Sequence, residues 1–140
     1  SVLFFIKFPK LYLNKHNIRI LNGDKVDLKL HLCASDIGFL LRDDIPMNNA
    51  ASPVKAAEYL NAGLAIVSSP GIGDISKCIV ENNLGILINS KKLIQSVIYI
   101  GRYLSSFKEN KKSISSRAIC IGKNMYTWQA YSSLYRKIYE

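Results

Sequence analysis

The middle of the chain alternates short apolar runs with polar segments. Ile37–Leu41 and Leu64–Val67 are continuous apolar runs that end in polar or turn residues, as is typical of strands buried on both faces of a parallel sheet. Between them, Pro53 occupies a first helical position, Ser52 precedes it as the N-cap, and Gly63 suits a left-handed C-cap. The pattern therefore predicts a βαβ unit whose helix begins at Pro53 and ends just before Gly63.

The same interpretation extends along the chain. The predicted elements are strand Val2–Phe8, a polar loop over Lys10–Asn17, strand Ile18–Leu21, helix Lys25–Cys33, strand Ile37–Leu41, the central helix, strand Ala65–Ser69, helix Asp74–Glu81 and strand Gly85–Ile88. Strands that alternate with helices predict an α/β fold with a doubly wound parallel sheet. From Ser90 onward the apolar spacing predicts only helix. We expect one domain over residues 1–140, with an α/β core over 1–89 and a helical tail over 90–140.

Two predicted helical faces differ from the others. In the central helix the polar side chains form one narrow stripe of Lys55, Glu58 and Asn61, each three residues apart. We expect this stripe to face a ligand cleft beyond the carboxyl ends of the strands, or else Lys55 and Glu58 to form a weak surface ion pair. The last helix carries an apolar stripe that we expect to pack into a core, or to be partly exposed if a domain that would cover it is absent from this chain. Its members are Trp128, Tyr131, Tyr135 and Ile138.

Composition excludes several classes of protein. With 49% hydrophobic residues the chain can build a core, but no apolar run approaches the ~20 residues that cross a bilayer. The apolar run Val2–Ile6 is short and lacks a small-residue cleavage site, so we expect no secretory signal. Cys33, Cys78 and Cys120 lie among apolar neighbours, so we expect buried, reduced thiols in a cytosolic protein and no structural metal. Because the chain starts in a strand-like run without methionine, we expect a fragment of a longer protein.

Positive charge is concentrated in the tail. Residues 1–90 contain nine Lys/Arg and eight Asp/Glu, whereas residues 91–140 contain ten and two. A basic helical surface could contact anionic lipid headgroups or attract a phosphorylated donor, or the charges could only solvate the helices. No nucleic-acid-binding motif is present, so we expect no nucleic acid partner.

Three segments together resemble one enzyme family. They are Ala34–Gly38 (ASDIG), Ser52–Val67 (SPVKAAEYLNAGLAIV) and Gly71–Asp74 (GIGD). In this order they resemble the nucleotide-binding half of GT-B glycosyltransferases, most closely the large retaining family usually called family four. The resemblance covers about residues 17–90 and implies a Rossmann-like donor domain whose N-terminal acceptor domain is missing from this chain. It implies transfer of a hexosyl-type group from a nucleotide-diphosphate sugar to a polysaccharide or lipid-linked acceptor.

The residue types suggest how such a donor would bind. A carboxylate can accept hydrogen bonds from both ribose hydroxyls, and Glu58 lies where the family carries its second motif glutamate. The backbone N–H groups of a helix that starts at Ser52–Val54 suit a diphosphate. Lys55 or Arg42 is the candidate cation for stabilising the leaving nucleoside diphosphate. Because the helix dipole and these side chains supply positive charge, we expect no metal cofactor.

The chain also departs from the family pattern. The earlier motif glutamate, eight positions before Glu58, is replaced by Ala50, so we expect Arg42 and Asn49 to share recognition of the donor sugar. The family's first strand, its glycine-containing loop and the acceptor domain have no counterpart in the sequence. We therefore expect this chain alone to be inactive.

The glycine turn at residues 71–73 (GIG) follows a strand, as a phosphate-binding loop does. Ser76 takes the place of the third glycine of a dinucleotide fingerprint, so a tight turn with Asp74 capping the next helix is the better interpretation. The remaining candidate site residues are Gly73 and Asp74 beside the donor, and Asn22 and Gly23 beside the base.

The resulting expectation is the donor-binding half of a glycosyltransferase that serves cell-surface polysaccharide or glycolipid assembly. It would work in the cytoplasm, or peripherally at the inner face of the plasma membrane. Two alternatives stay open: a catalytically silent domain that binds a nucleotide or a partner, and an unrelated flavodoxin-like domain that binds another phosphate ligand. The fold alone does not separate them.

Overall fold

The structure is a computed structural model that describes residues 24–43, 45–50, 52–89 and 91–139. The predicted strands Val2–Phe8 and Ile18–Leu21, the loop Lys10–Asn17, and the candidate base-binding residues Asn22 and Gly23 lie outside these ranges.

The described part of the chain contains six helices and three strands. In chain order they are α1 (Lys25–Cys33), β1 (Ile37–Leu40), α2 (Pro46–Asn49), α3 (Val54–Asn61), β2 (Ala65–Ser68), α4 (Ile75–Glu81), β3 (Gly85–Leu87), α5 (Leu93–Met125) and α6 (Trp128–Tyr139). The prediction for α1 matches at both ends, and the three strand predictions are right to within one residue at each end. Helix α2 was not predicted, because its four residues fall in a segment without helical periodicity.

The strands form an open parallel sheet in the order β1-β2-β3. Ile37 pairs with Ala65 at the start of the first ladder, and Ile66 pairs with Gly85 at the start of the second. The α/β class and the parallel sheet are therefore confirmed. The described strands lie in chain order without reversal, so the doubly wound arrangement is not visible in this part of the molecule.

Side chains of β2 alternate between two cores, one on each face of the sheet. Ile66 joins the core beneath α3 and α4, together with Tyr59 and Ile79. Ala65 and Val67 join the opposite core, where Phe107 of α5 also packs. Each face of the sheet is thus covered by helix, which explains why the strands are continuously apolar.

Helix α5 holds the assembly together, because it covers one face of the sheet and then packs against α3. Two glycines make this approach close. A Cβ atom at Gly122 would lie 2.9 Å from the backbone nitrogen of Asn61, and one at Gly63 would lie 2.5 Å from the Ser115 hydroxyl. Gly63 also has a left-handed φ of 77°, as its predicted position after the helix requires.

Several expectations about burial are wrong. The stripe formed by Trp128, Tyr131, Tyr135 and Ile138 does not lie in a core, since its members are 43–71% exposed. Cys78 is buried, but Cys33 and Cys120 are exposed. The physical reason is that apolar periodicity identifies a helical face without identifying what covers it.

No helix in the described part of the chain combines the length and the apolar character that crossing a bilayer requires.

Candidate functional site

A groove of about 610 Å³ lies between α1 and α3, and the end of α5 closes one side of it. Its lining residues are Leu28, Lys29, Leu32, Cys33, Val54, Ala57, Glu58, Asn61, Ala62 and Tyr126. Most of this lining is apolar, with a few polar groups placed among it. That combination is typical of small-molecule sites.

Helix α1 forms one wall because its two ends are fixed locally. At its start, an oxygen of the Asp24 carboxylate accepts hydrogen bonds from the backbone N–H groups of Val26 (2.8 Å) and Asp27 (3.0 Å), which is an N-cap. At its end, the Ser35 hydroxyl donates to the carbonyl of His31 at 2.7 Å. Leu32 is buried in the core and Leu28 packs against it, so α1 is held beside α3.

Glu58 supplies the carboxylate of the groove. It is exposed, and it lies among the apolar groups of Val54 and Ala57, with Lys29 on the facing helix. The next residue, Tyr59, points into the core, where burial and the nearby Glu58 charge raise its pKa. Because Tyr59 anchors α3, the register of the helix fixes Glu58 on the groove side.

The predicted stripe of α3 is divided by the structure. Glu58 and Asn61 line the groove, whereas Lys55 is exposed outside that lining. The ion pairs between described residues are Lys77–Glu81 and Lys111–Asp36. The alternative of a Lys55–Glu58 surface pair is therefore not observed.

Tyr126 connects the groove to the start of α4. Its ring lines the groove, and its hydroxyl donates a hydrogen bond to the Asp74 carboxylate at 3.3 Å. Burial, followed by the negative charge of Asp74, raises the pKa of the Tyr126 hydroxyl well above its usual range. Asp74 is the N-cap residue of α4, as predicted, but its side chain makes no capping hydrogen bond and accepts one from Tyr126 instead.

The glycine turn is tight and closed by a serine. Gly71 and Gly73 have φ values of 72° and 42°, in the left-handed region that favours glycine. The Ser76 hydroxyl accepts a hydrogen bond from the backbone N–H of Ile72 at 2.9 Å. Ser76 therefore stabilises a turn at the place where a dinucleotide fingerprint would have its third glycine.

A second group of predicted residues lies at the carboxyl ends of β1 and β2. The backbone N–H of Arg42 donates to the Ser69 hydroxyl at 3.0 Å, and its guanidinium donates to the Asn48 side chain at 3.3 Å. The Asn48 carbonyl in turn accepts from the backbone N–H of Gly73 at 3.2 Å. Asn48, which the sequence did not single out, therefore joins Arg42 to the glycine turn, while Asn49 is exposed.

The start of α3 carries no capping side chain. The sequence predicted Ser52 as the N-cap, but the N-cap in the structure is Pro53. The helix therefore begins one residue later than predicted, at Val54. Pro53 has no side-chain donor or acceptor, and the first turn contains no acidic residue. This end of α3 therefore keeps its positive dipole without a side-chain anion from the described residues.

The candidate residues thus fall into separate places. Val54 and Glu58 meet in the groove, and Asp74 is joined to it through Tyr126. Arg42 and Gly73 meet at the sheet edge through Asn48. The remaining candidates, Asn49, Ser52 and Lys55, are exposed and do not line the groove. Lys29 and Tyr126 were missed because no local pattern connects them to α3.

Two further observations bear on the chemistry of the site. In the described ranges, no three His, Cys, Asp or Glu side chains are grouped so that they could hold a metal ion. Comparison of the chain with family models, with curated proteins and with solved structures found no match in any of the three.

Proposed function

We propose that this chain is the donor-binding domain of a GT-B-like glycosyltransferase, and that a nucleotide-diphosphate sugar binds in the groove between α1 and α3. The observation that carries the proposal is the position of Glu58, an exposed carboxylate on an otherwise largely apolar wall. A nucleoside needs both features, because its base favours apolar surface and its two ribose hydroxyls need an acceptor. The sequence resemblance assigns the same role to Glu58.

The diphosphate would lie toward the start of α3. Val54 lines the groove and is also the first residue of α3, so a nucleoside held by Glu58 would direct its phosphates toward the uncapped helix end. Backbone N–H groups at a helix start bind phosphate well. Lys55 lies one residue further along, and Arg42 lies at the adjacent sheet edge, held by Asn48.

The proposed reaction is glycosyl transfer, with the nucleoside diphosphate as the leaving group. The helix dipole of α3 and the cations of Lys55 and Arg42 would stabilise the negative charge that develops as the bond to the sugar breaks. Catalysis would need an acceptor domain, which together with further strands would complete a doubly wound GT-B fold. A polysaccharide or a lipid-linked glycan is the proposed acceptor class, with the reaction in the cytoplasm or at the inner membrane face.

A thermal-shift titration with UDP, GDP, ADP and FMN tests the proposal. A ligand that binds only the folded state raises the melting temperature in a concentration-dependent way. We expect one nucleoside diphosphate to do so. Glu58→Gln should lower the affinity for that ligand by at least about tenfold, because a hydrogen bond to a charged group contributes ~1.5–3 kcal/mol.

The matched control is Glu109→Gln, which alters an exposed glutamate on α5 outside the groove. An equal loss of affinity in both variants would show that Glu58 does not bind the ligand. A response to FMN alone, or to none of the four ligands, would contradict the proposed function.

A catalytically silent nucleotide-binding domain is the second candidate, and the observation that favours it is Ala50. This residue ends α2 as an exposed C-cap, where the resembling family carries a glutamate. Nucleoside-diphosphate binding without glycosyl transfer by the intact protein would favour this candidate.

A further inference from the structure

Helix α6 presents an apolar stripe that is exposed at the surface of the described part of the chain. Trp128 and Ile138 are 71% and 67% exposed, and Tyr131 and Tyr135 are 45% and 43% exposed. The stripe is ordered by local contacts: Trp128 stacks on Tyr135 with ring centroids 5.0 Å apart, and the Tyr131 hydroxyl donates to the Met125 carbonyl at 2.9 Å.

The charges of α6 lie on the side of the helix away from this stripe. At 3.6 residues per turn, the four stripe residues occupy about a quarter of the helix circumference. Arg136 then lies beyond the Trp128 edge and Lys137 beyond the Ile138 edge. No acidic residue occurs between Trp128 and Tyr139, and residues 91–140 as a whole contain ten Lys/Arg and two Asp/Glu.

We infer that α6 docks in the plane of an anionic lipid surface, with the stripe among the acyl chains and headgroups. Helices that bind this way have one apolar face with bulky residues, and their remaining circumference is polar and rich in cations. Trp and Tyr favour the boundary between headgroup and acyl chain because their rings are apolar and their N–H or O–H groups are polar. The long side chains of Arg136 and Lys137 extend from the polar side and can reach headgroup phosphates while the stripe is buried.

Charge favours lipid over a second copy of the chain as the occupant. Two copies joined through α6 would bring together two helices that each carry Arg136 and Lys137 and no acidic residue between Trp128 and Tyr139, and like charges oppose such an approach. An anionic bilayer is attracted by the same charges. This inference is independent of the proposed glycosyltransferase activity.

The single tryptophan makes the test specific, because Trp128 is the only source of tryptophan emission in the chain. The purified protein is mixed with vesicles of phosphatidylcholine containing about one third phosphatidylglycerol, and with vesicles of phosphatidylcholine alone. We expect Trp128 emission to shift to shorter wavelength with the anionic vesicles and to be quenched when their acyl chains are brominated. Binding should weaken as salt is raised.

Matched variants separate the two contributions. Ile138→Ser should weaken vesicle binding by about tenfold, from the lost apolar burial, whereas Val80→Ser, which alters an exposed valine on α4, should leave it unchanged. Lys137→Gln should weaken binding by roughly fivefold, whereas Lys77→Gln should not. All four positions are exposed, and circular dichroism checks that the variants remain folded.

Three results would overturn the inference. One is unchanged Trp128 emission after the anionic vesicles are added, whether or not the protein binds them. Another is the same emission shift on raising the protein concentration without lipid, which would assign the stripe to a second copy. The third is an equal shift with a single-stranded oligonucleotide, since exposed aromatic rings beside cations also stack on bases.

Discussion

Gly38 lies in β1 directly beneath the ring of Tyr59, and this contact predicts a sharp response to a single methyl group. A Cβ atom added at Gly38 would lie no farther than 2.8 Å from three ring carbons of Tyr59. Tyr59 cannot move aside easily, since it is only 8% exposed and its hydroxyl donates to the Phe39 carbonyl. The φ of Gly38 is not positive, so the ring contact, and not backbone strain, decides the outcome.

The magnitude follows from two opposing effects. Overpacking a well-filled core costs typically ~1–3 kcal/mol. Replacing glycine by alanine without backbone strain stabilises by about 0.4–1 kcal/mol, because the unfolded chain loses freedom. We therefore expect Gly38→Ala to lower the free energy of unfolding by roughly 1–2 kcal/mol.

A double-mutant cycle with Tyr59→Ala isolates the contact. Without the ring, Gly38→Ala should be neutral or slightly stabilising. Urea unfolding followed by far-ultraviolet circular dichroism gives the free energies, because Trp128 is exposed on α6 and reports poorly on the core. All four proteins are measured in the same sucrose-containing buffer, which keeps weak variants folded.

Gly101→Ala is the control for the substitution itself. Gly101 lies within α5, and a Cβ atom there would meet nothing within 4 Å. Because alanine favours the helix over glycine, the free energy of unfolding of this variant should rise by up to about 1 kcal/mol. If Gly38→Ala were as stable as Gly101→Ala, or equally destabilising with and without the Tyr59 ring, the argument from the ring contact would be refuted.

Three further predictions concern the rest of the described fold. Asn83 follows α4 with a φ of 50°, so Asn83→Ala should destabilise by about 1 kcal/mol and Asn83→Gly should not, as thermal unfolding can measure. In Gly122→Ala the added carbon would meet the backbone of Asn61, so α5 should move away from α3. The free energy of unfolding should fall by ~1–3 kcal/mol, and the affinity for any ligand of the groove should fall as well. Unchanged stability would contradict the close packing. Burial raises the pKa of both the Cys78 thiol and the Tyr126 hydroxyl above their ordinary values of 9.0 and 10.0, so the folded state keeps protons that the unfolded state releases. Stability should therefore be full below about pH 9 and fall as the pH rises above it. In urea unfolding measured between pH 7 and 11, Cys78→Ala with Tyr126→Phe should reduce that fall, while the buried Tyr59, whose pKa is also raised, keeps part of it.

The sequence alone determined the local elements, because their signals come from neighbouring residues. The apolar positions within Lys25–Cys33 located α1 at both ends, and Gly63 marked the left-handed residue after α3. Short apolar runs located β1 and β2 to within one residue, since strands covered on both faces need no polar positions. Parallel pairing followed from the alternation of strands and helices.

Contacts between residues distant in the sequence were decided only by the tertiary structure. Tyr126 meets Asp74 across 52 positions of the chain, and Lys29 faces Glu58 from another helix, so no spacing could reveal the groove. The periodicity of Trp128 and Ile138 identified one face of α6 correctly, yet that face is exposed. A helical pattern specifies which side chains point the same way, whereas the packing of all the other elements decides whether anything covers them.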